Sequence, residues 1–265
     1  MRIGIITPCK TYDADRLDAV RANIASLTGL DGHEVLHVVV VDGRGDRYDH
    51  AQSRVDLVRS NTTYVEFTIP ESSNDAGATP RAIGSTYALA QGCSVVAFLD
   101  DDNTYEPKHI SNAVELIQMG ADVVASLRTF MHPDGTSMYV DSQDSNGVTF
   151  ADTNTIVLGN KAAQFSTTWS WYRQRSGTDR IFFDRLRHSF GDKIVCTQQP
   201  TVNYVTNWAV HFNIYNQETG QPIFTPPEEL KFVRVNEKGE RYTLVSKAMW
   251  DPNRKAFISV EDNQP

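Results

Sequence analysis

Long apolar runs are missing from these 265 residues, and so is any excess of positive charge. No stretch comes near the roughly 20 apolar residues of a membrane-spanning helix. The N-terminus opens straight into a strand pattern, Arg2-Ile3-Gly4-Ile5-Ile6, and not into a signal peptide. A net charge of −8 and an isoelectric point near 5.3 argue against sequence-independent binding to nucleic acid. Cysteine is scarce: Cys9, Cys93 and Cys196 stand far apart without a Cys-x-x-Cys pair. That spacing argues against a zinc ribbon and favours a reducing compartment, so the expected location is the cytoplasm. Internal repeats, low-complexity tracts and obvious linkers are absent as well.

What remains is the composition of a soluble globular protein, 40% hydrophobic and 22% charged, long enough for one large α/β domain or two small ones. The first half alternates strand and helix. Ile3–Thr7 reads as a short strand. Leu17, Val20, Ile24 and Leu27 then recur at helical spacing, with Asp15 as cap and Gly29 near the stop. His37–Val41 and Tyr64–Ile69 read as further strands. Thr79 and Pro80 have the N-cap and first-turn chemistry of a helix running to Gly92. The run Val95–Leu99 is a strand buried on both faces. Pro107 opens a helix with Ile110, Val114 and Ile117 on one side and Gly120 as its stop, and Asp122–Leu127 is a strand again. This order predicts a mostly parallel sheet flanked by helices on both faces.

After about residue 128 the texture turns rich in Thr, Ser, Asn and Gly. Strands are predicted near Ser137–Val140, Thr155–Leu158 and Val202–Val205, and a helix around Ile181–Phe190. Gly220 to Pro227 reads as a loop. Phe232–Val235 and Tyr242–Val245, joined by a Glu237-Lys238-Gly239-Glu240 turn, suggest a small β-rich tail. The division expected is a main domain over 1–218, split into halves 1–127 and 128–218, with a C-terminal extension over 219–265.

The strand at Val95 ends in Asp100-Asp101-Asp102, three adjacent carboxylates that repel one another unless a cation offsets them. Oxygen-only ligands suit Mg²⁺ or Mn²⁺, which in turn suit phosphate-bearing substrates. Three further polar sites fall at strand ends: Thr7-Pro8-Cys9-Lys10, Asp42, and Asn74–Arg81 leading into a helix N-terminus. In a parallel sheet such ends share one edge. Singly, each also reads as an ordinary turn, helix start or surface charge. Jointly they describe a pocket with a carboxylate for ribose or base, an arginine, and a metal for a diphosphate.

With Ile5-Ile6-Thr7-Pro8, Val39-Val40-Val41-Asp42, Gly77 with Arg81 and Gly84, and Phe98-Leu99-Asp100-Asp101-Asp102-Asn103 followed by Pro107, the chain resembles the GT-A glycosyltransferases, most closely the inverting family 2 type. The match covers roughly residues 1–125 in order and spacing. It implies a GT-A fold and transfer of a sugar from a UDP- or GDP-sugar to an acceptor hydroxyl. By that resemblance, Thr7 and Pro8 line the base and Asp42 contacts the nucleoside. Arg81 stands beside the donor, and Asp100 and Asp101 belong to the donor site. Asp102, with Asp100, ligates Mn²⁺ or Mg²⁺. Asp75-Ala76-Gly77 departs from the commoner Asn-x-Gly, which leaves the role of Asp75 open.

The second half supplies the acceptor side, and the acceptor itself is not legible. An inverting transfer needs one general base, which the family places in a Glu-Asp pair before a helix. Here Thr178-Asp179 stands there, so Asp179 is the candidate base, with Asp184 as the fallback and an N-cap as the competing role for Asp179. His211 falls where family members often complete the metal site, and a packed or surface histidine is the alternative. Trp169 and Trp171 are candidates for stacking on an acceptor sugar, or for the core. Two other functions fit less of the pattern. A sugar-phosphate nucleotidyltransferase uses a Gly-rich first loop that Thr7-Pro8-Cys9-Lys10-Thr11 lacks. A non-catalytic nucleotide-sugar-binding protein would not need every carboxylate intact.

Overall fold

A computed structural model describes residues 1–10, 12–43, 55–59, 61–171, 177–236, 239 and 241–263. The first half runs β1 (Arg2–Cys9), α1 (Ala14–Ser26), β2 (Glu34–Asp42), β3 (Val55–Arg59), β4 (Thr62–Ile69), α2 (Ala78–Ala90) and β5 (Val95–Phe98). Then come β6 (Thr104–Tyr105), α3 (His109–Gln118), β7 (Val123–Met131), β8 (Ser137–Asp141), β9 (Ile156–Gly159), α4 (Asn160–Phe165) and α5 (Thr178–Phe190). The chain ends with β10 (Ile194–Val205), β11 (Glu229–Val235), β12 (Arg241–Asp251) and β13 (Ala256–Ser259). Contacts divide it into two units, Met1–Arg128 with Val140–Asn203, and Thr129–Tyr139 with Tyr204–Pro265.

In the first unit the sheet order is β3-β4-β2-β1-β5-β9-β7-β10-β6. Strands β4, β2, β1 and β5 are parallel, and β9 pairs antiparallel with β5. The register aligns Ile6 with Phe98, Cys9 with Val41, and Asp42 with Ile69. The ends of four strands therefore meet along one edge, the place where open α/β sheets hold ligands.

Alternation along each strand sorts its side chains to two helical layers. Val96 and Phe98 face α2, α4 and α5 through Ala82, Ala88, Ala162, Phe182 and Leu186. Val95, Ala97 and Leu99 face α1 and α3 through Val20, Ile24, Ile110, Val114 and Ile117. Both faces are covered, which is why β2 and β5 are nearly continuous apolar runs. The cap of helix α1 lies two residues before the expected one: Asp13 accepts the Arg16 N–H at 3.2 Å, leaving Asp15 in the first turn. Strands β3, β6 and β13 carry too little periodicity to be read from sequence, and the turn at Glu237, Lys238 and Glu240 lies outside the described residues.

The second unit holds the antiparallel sheet β11-β12-β13, matching the β-rich tail expected of the C-terminus. Its core gathers Phe212, Leu230, Phe232, Phe257 and Trp250. Among the described residues no helix is long and apolar enough to cross a membrane.

Two polar histidines are sealed in the first unit. His37 bonds Thr7 Oγ1 at 3.0 Å beneath the sheet edge, and His109 bonds Thr201 Oγ1 at 2.7 Å while stacking on Tyr105. Burial drives both rings neutral, to pKa values of about 3, with Arg21 adding to the effect at His37. The unfolded chain binds those protons near 6.5, so between pH 6.5 and 3 it takes up more protons than the folded chain. Stability is thus complete above pH 6.5 and lost as pH falls, by about 1.4 kcal/mol per pH unit for each ring. Denaturant melts from pH 7 to 4 are expected to show a shallower acid decline for the His37→Asn, His109→Asn double variant. A second expectation concerns helix α2, where a Cβ on Gly84 would lie 2.5 Å from Ile6 Cγ2. Gly84→Ala should destabilise by about 1–3 kcal/mol in urea melts, despite the better helix propensity of alanine.

Candidate active site

The β4–α2 loop is drawn onto the sheet edge by two carboxylates. Asp42, buried at the end of β2, accepts the Ser73 N–H and Ser73 Oγ, both at 2.7 Å, and Ser72 Oγ at 3.3 Å. Asp75 accepts Ser73 Oγ at 2.8 Å, Thr79 Oγ1 at 2.5 Å, and the Thr79 N–H. These hydrogen bonds hold Asp75 ionised, below the ordinary carboxylate range despite its burial. They also give Asp75 the role that the sequence left open: its side chain, two residues before the Gly77 N-cap, accepts the Thr79 N–H in the first turn of the helix. Asn74, Ala76 and Gly77 all take positive φ, an unusual conformation for alanine that the surrounding bonds enforce.

Gly77 leads into α2 at φ 81°, and a Cβ there would lie 2.9 Å from Arg81 Nη1 and 3.3 Å from Pro8. The missing side chain lets Arg81 fold back on its own helix start. Arg81 Nη1 donates to the Ala76 carbonyl at 2.9 Å and Nη2 to Asp100 Oδ1 at 2.5 Å, with the guanidinium over the Trp169 ring at 5.3 Å. A linked set of bonds therefore runs from Asp42 through the loop to Asp100. Arg81 Nε, Ser85 Oγ and Trp169 Nε1 are buried without a hydrogen-bond partner among the described residues.

The three adjacent aspartates go three ways. Asp100 is held by Arg81 on one side and by Asn154 on the other, whose Nδ2 donates to Oδ2 at 3.0 Å. Asp101 turns toward the β1–α1 segment, hydrogen-bonded with Cys9 and 3.9 Å from Arg16, and burial pushes its carboxyl up. Asp102 is exposed. Among the described residues no three His, Cys, Asp or Glu side chains surround a point where a metal could sit. That does not conflict with an ion shared with a diphosphate, because Mg²⁺ binds through one or two carboxylates and keeps substrate oxygens and waters as its other ligands.

Other expected residues are placed as follows. The side chain of Thr7 is fully buried against His37, so it does not line a surface pocket; Pro8 is buried beside Gly77. Trp169, 0% exposed and stacked on Phe182 at 3.9 Å, belongs to the core beneath Arg81 and cannot stack on an acceptor. Trp171 is 75% exposed. His211 lies in the second unit, its ring against Phe130 and its Nδ1 2.7 Å from Thr206 Oγ1.

Asp179 stands in the first turn of α5, which starts after Gly177 at φ 77° without a side-chain cap. Its carboxylate accepts the Arg180 N–H at 2.9 Å. Burial and the nearby charge of Asp152 raise its proton affinity above the ordinary carboxylate range, against the opposing pull of Arg180 and Arg81. Asp184 is exposed, one turn further on.

Four residues of the site gave no motif in the sequence: Arg128, Asp141, Asp152 and Asn154. Arg128 bonds Asp152 at 2.7 Å and Asp141 at 2.8 Å, all three side chains buried. For Asp141, Asp152 and Asn154 the trace in the sequence is the polar stretch from 141 to 155, which reads as loop texture.

No protein-family model matches the chain, and no curated protein matches it. Solved structures do. Residues 1–349 of S. aureus TarS in complex with UDP superpose with a TM-score of 0.53 at 15% identity, over 78% of this chain and 61% of that one. The same fragment in complex with UDP-GlcNAc gives 0.54 at 15% identity, over 77% and 58%. The longer S. aureus TarS structure gives 0.53 at 12% identity, over 80% of this chain and 38% of its own. This chain thus spans about three fifths of the TarS fragment, and at such identity the likeness is one of fold. Element order, the strand-edge cluster and these superpositions agree on a GT-A fold with a small antiparallel sheet at its C-terminal end.

Proposed function

We propose that this chain is a glycosyltransferase that moves a sugar from a nucleoside-diphospho-sugar to an acceptor hydroxyl, with a divalent metal and inversion at the anomeric carbon. The observation that carries the reading is the linked set of bonds that brings Asp42, Arg81 and Asp100 to one edge of the parallel strands. TarS, which shares the fold, has been crystallised with UDP and with UDP-GlcNAc, and this supports a uridine nucleotide as the donor carrier.

In this reading the buried Asp42 and the loop it pins receive the nucleoside, and Arg81 and Asp100 face the diphosphate end. Asp102, the exposed carboxylate, is the first metal ligand, with Asp100 beside it; both offer the oxygen donors that Mn²⁺ and Mg²⁺ prefer. Bound there, the metal would offset charge on the departing nucleoside diphosphate. Asp179 takes the proton of the acceptor hydroxyl onto a carboxylate oxygen. Its raised proton affinity suits that task, since a base works best when its pKa lies nearer the working pH. Trp171 is the exposed aromatic left to meet an acceptor ring.

Hydrolysis of UDP-sugars and GDP-sugars with and without Mn²⁺ tests the reading. The wild-type protein is expected to release nucleoside diphosphate only with the metal, and Asp102→Ala should remove that stimulation. Activity unaltered in Asp102→Ala would overturn the metal assignment. Asp179→Asn is expected to lower turnover by about 10²–10⁴-fold while leaving nucleotide binding intact. Full transfer by that variant, or a product that retains the donor's anomeric configuration by NMR, would remove Asp179 as the base of an inverting reaction.

A further inference from the structure

Asn154 sits in a single 3-10 turn, Thr153–Thr155, between β8 and β9, and is fully buried. Every polar atom of its carboxamide is committed. Oδ1 accepts the backbone N–H of Asp100 at 2.7 Å. Nδ2 donates to Asp100 Oδ2 at 3.0 Å and to Asp152 Oδ1 at 2.9 Å. Asp152 also accepts the Asn154 N–H at 3.0 Å, and its other oxygen meets Arg128 at 2.7 Å. Arg128 is fixed in turn by Asp141, and Asp144 meets Arg180, the neighbour of Asp179, at 2.7 Å.

We propose that Asn154 is a positioning residue of the nucleotide-sugar site: its carboxamide fixes both the main chain and the carboxylate plane of Asp100 and ties them to Asp152. The inference rests on the glycosyltransferase reading and adds to it a residue from the acceptor half that sets donor geometry. The chemistry singles out an amide. One planar group has to accept from a backbone N–H and donate to two carboxylates, which neither a carboxylate nor a hydroxyl can do. An aspartate at 154 would set a third negative charge between Asp100 and Asp152. A buried bridge serving stability alone would have no need to end on a carboxylate that solvent reaches. The Asp100 side chain keeps 26% of its surface exposed even though both oxygens are held, by Arg81 and by Asn154. It is a carboxylate presented in one orientation, as a preorganised binding group should be.

The test is calorimetric titration of UDP and GDP with MnCl₂ into the full chain, needing no acceptor, well below each variant's melting temperature. Asn154→Ser and Asn154→Asp are compared with Thr155→Val. The last removes the bond from Thr155 Oγ1 to the Asp152 carbonyl, in the same turn, without touching Asp100. Asn154→Ser is expected to weaken nucleotide binding at least tenfold and to shift half-saturation by Mn²⁺ upward. Asn154→Asp should do more, and Thr155→Val should lower the melting temperature while leaving affinity within twofold. Should Asn154→Asp fail to fold, Asn154→Ser decides. Wild-type affinity in Asn154→Ser, or an equal loss in Thr155→Val, overturns the role of Asn154 alone. A wild-type protein that binds neither nucleotide with Mn²⁺ overturns the glycosyltransferase reading itself.

Discussion

The ion pair between Arg81 and Asp100 is the interaction on which the site is built. Arg81 is nine-tenths buried, and a guanidinium taken out of water costs several kcal/mol unless a carboxylate and further acceptors meet it. Here Asp100 and the Ala76 carbonyl do so, and the Trp169 face lies alongside. Much else follows from seating that cation. Position 77 has to be glycine, because a side chain there would strike the guanidinium. The Asn74–Gly77 backbone has to wind through positive φ so that the Ala76 carbonyl points back at the arginine, and Asp42 and Asp75 hold it in that shape. Removing either partner of the pair would strand a buried charge and release the loop as well.

The same pair changes what three adjacent carboxylates imply. Their mutual repulsion suggested a metal in common, but strand alternation and the turn after β5 send them apart. Arg81 offsets Asp100, Arg16 lies 3.9 Å from Asp101, and Asp102 is exposed. Arg81 therefore answers part of the electrostatic problem, and the proposed metal has Asp102, with Asp100 beside it, and the substrate's own oxygens to bind.

What the sequence disclosed, it disclosed through periodicity and strand ends. The runs Val38–Val41 and Val95–Leu99 could only be strands covered on both faces, and polar residues at their ends had to share an edge. Helix α2 and Arg81 were legible for the same reason. The helix cap was not, because Thr79-Pro80 and Asp75 both have capping chemistry and only the folded loop shows which one reaches the free N–H groups. Trp169 was ambiguous because an aromatic beside a polar stretch suits a sugar or a core equally; its stacking on Phe182 decides for the core. Asn154 and Asp152 were invisible. Asn154 acts across 54 residues of sequence on Asp100, and a contact of that separation leaves no periodic trace.

The proposed acceptor half would gain its chemistry from a difference in surroundings between two acidic residues. Asp152 is bonded directly by Arg128 and by the Asn154 amide, so its charge is matched by built-in partners. Asp179 accepts the backbone N–H of Arg180, whose guanidinium reaches away to Asp144 and lies over the Phe150 ring. Had Arg180 turned to Asp179 instead, the carboxylate would have been held ionised and made a poorer proton acceptor. Burial and the fixed charge of Asp152 act the other way and raise its affinity for a proton. On this argument Arg128 and Asn154 contribute twice: they hold the Asp152 carboxylate in place, and through it they shape the carboxylate proposed to activate the acceptor.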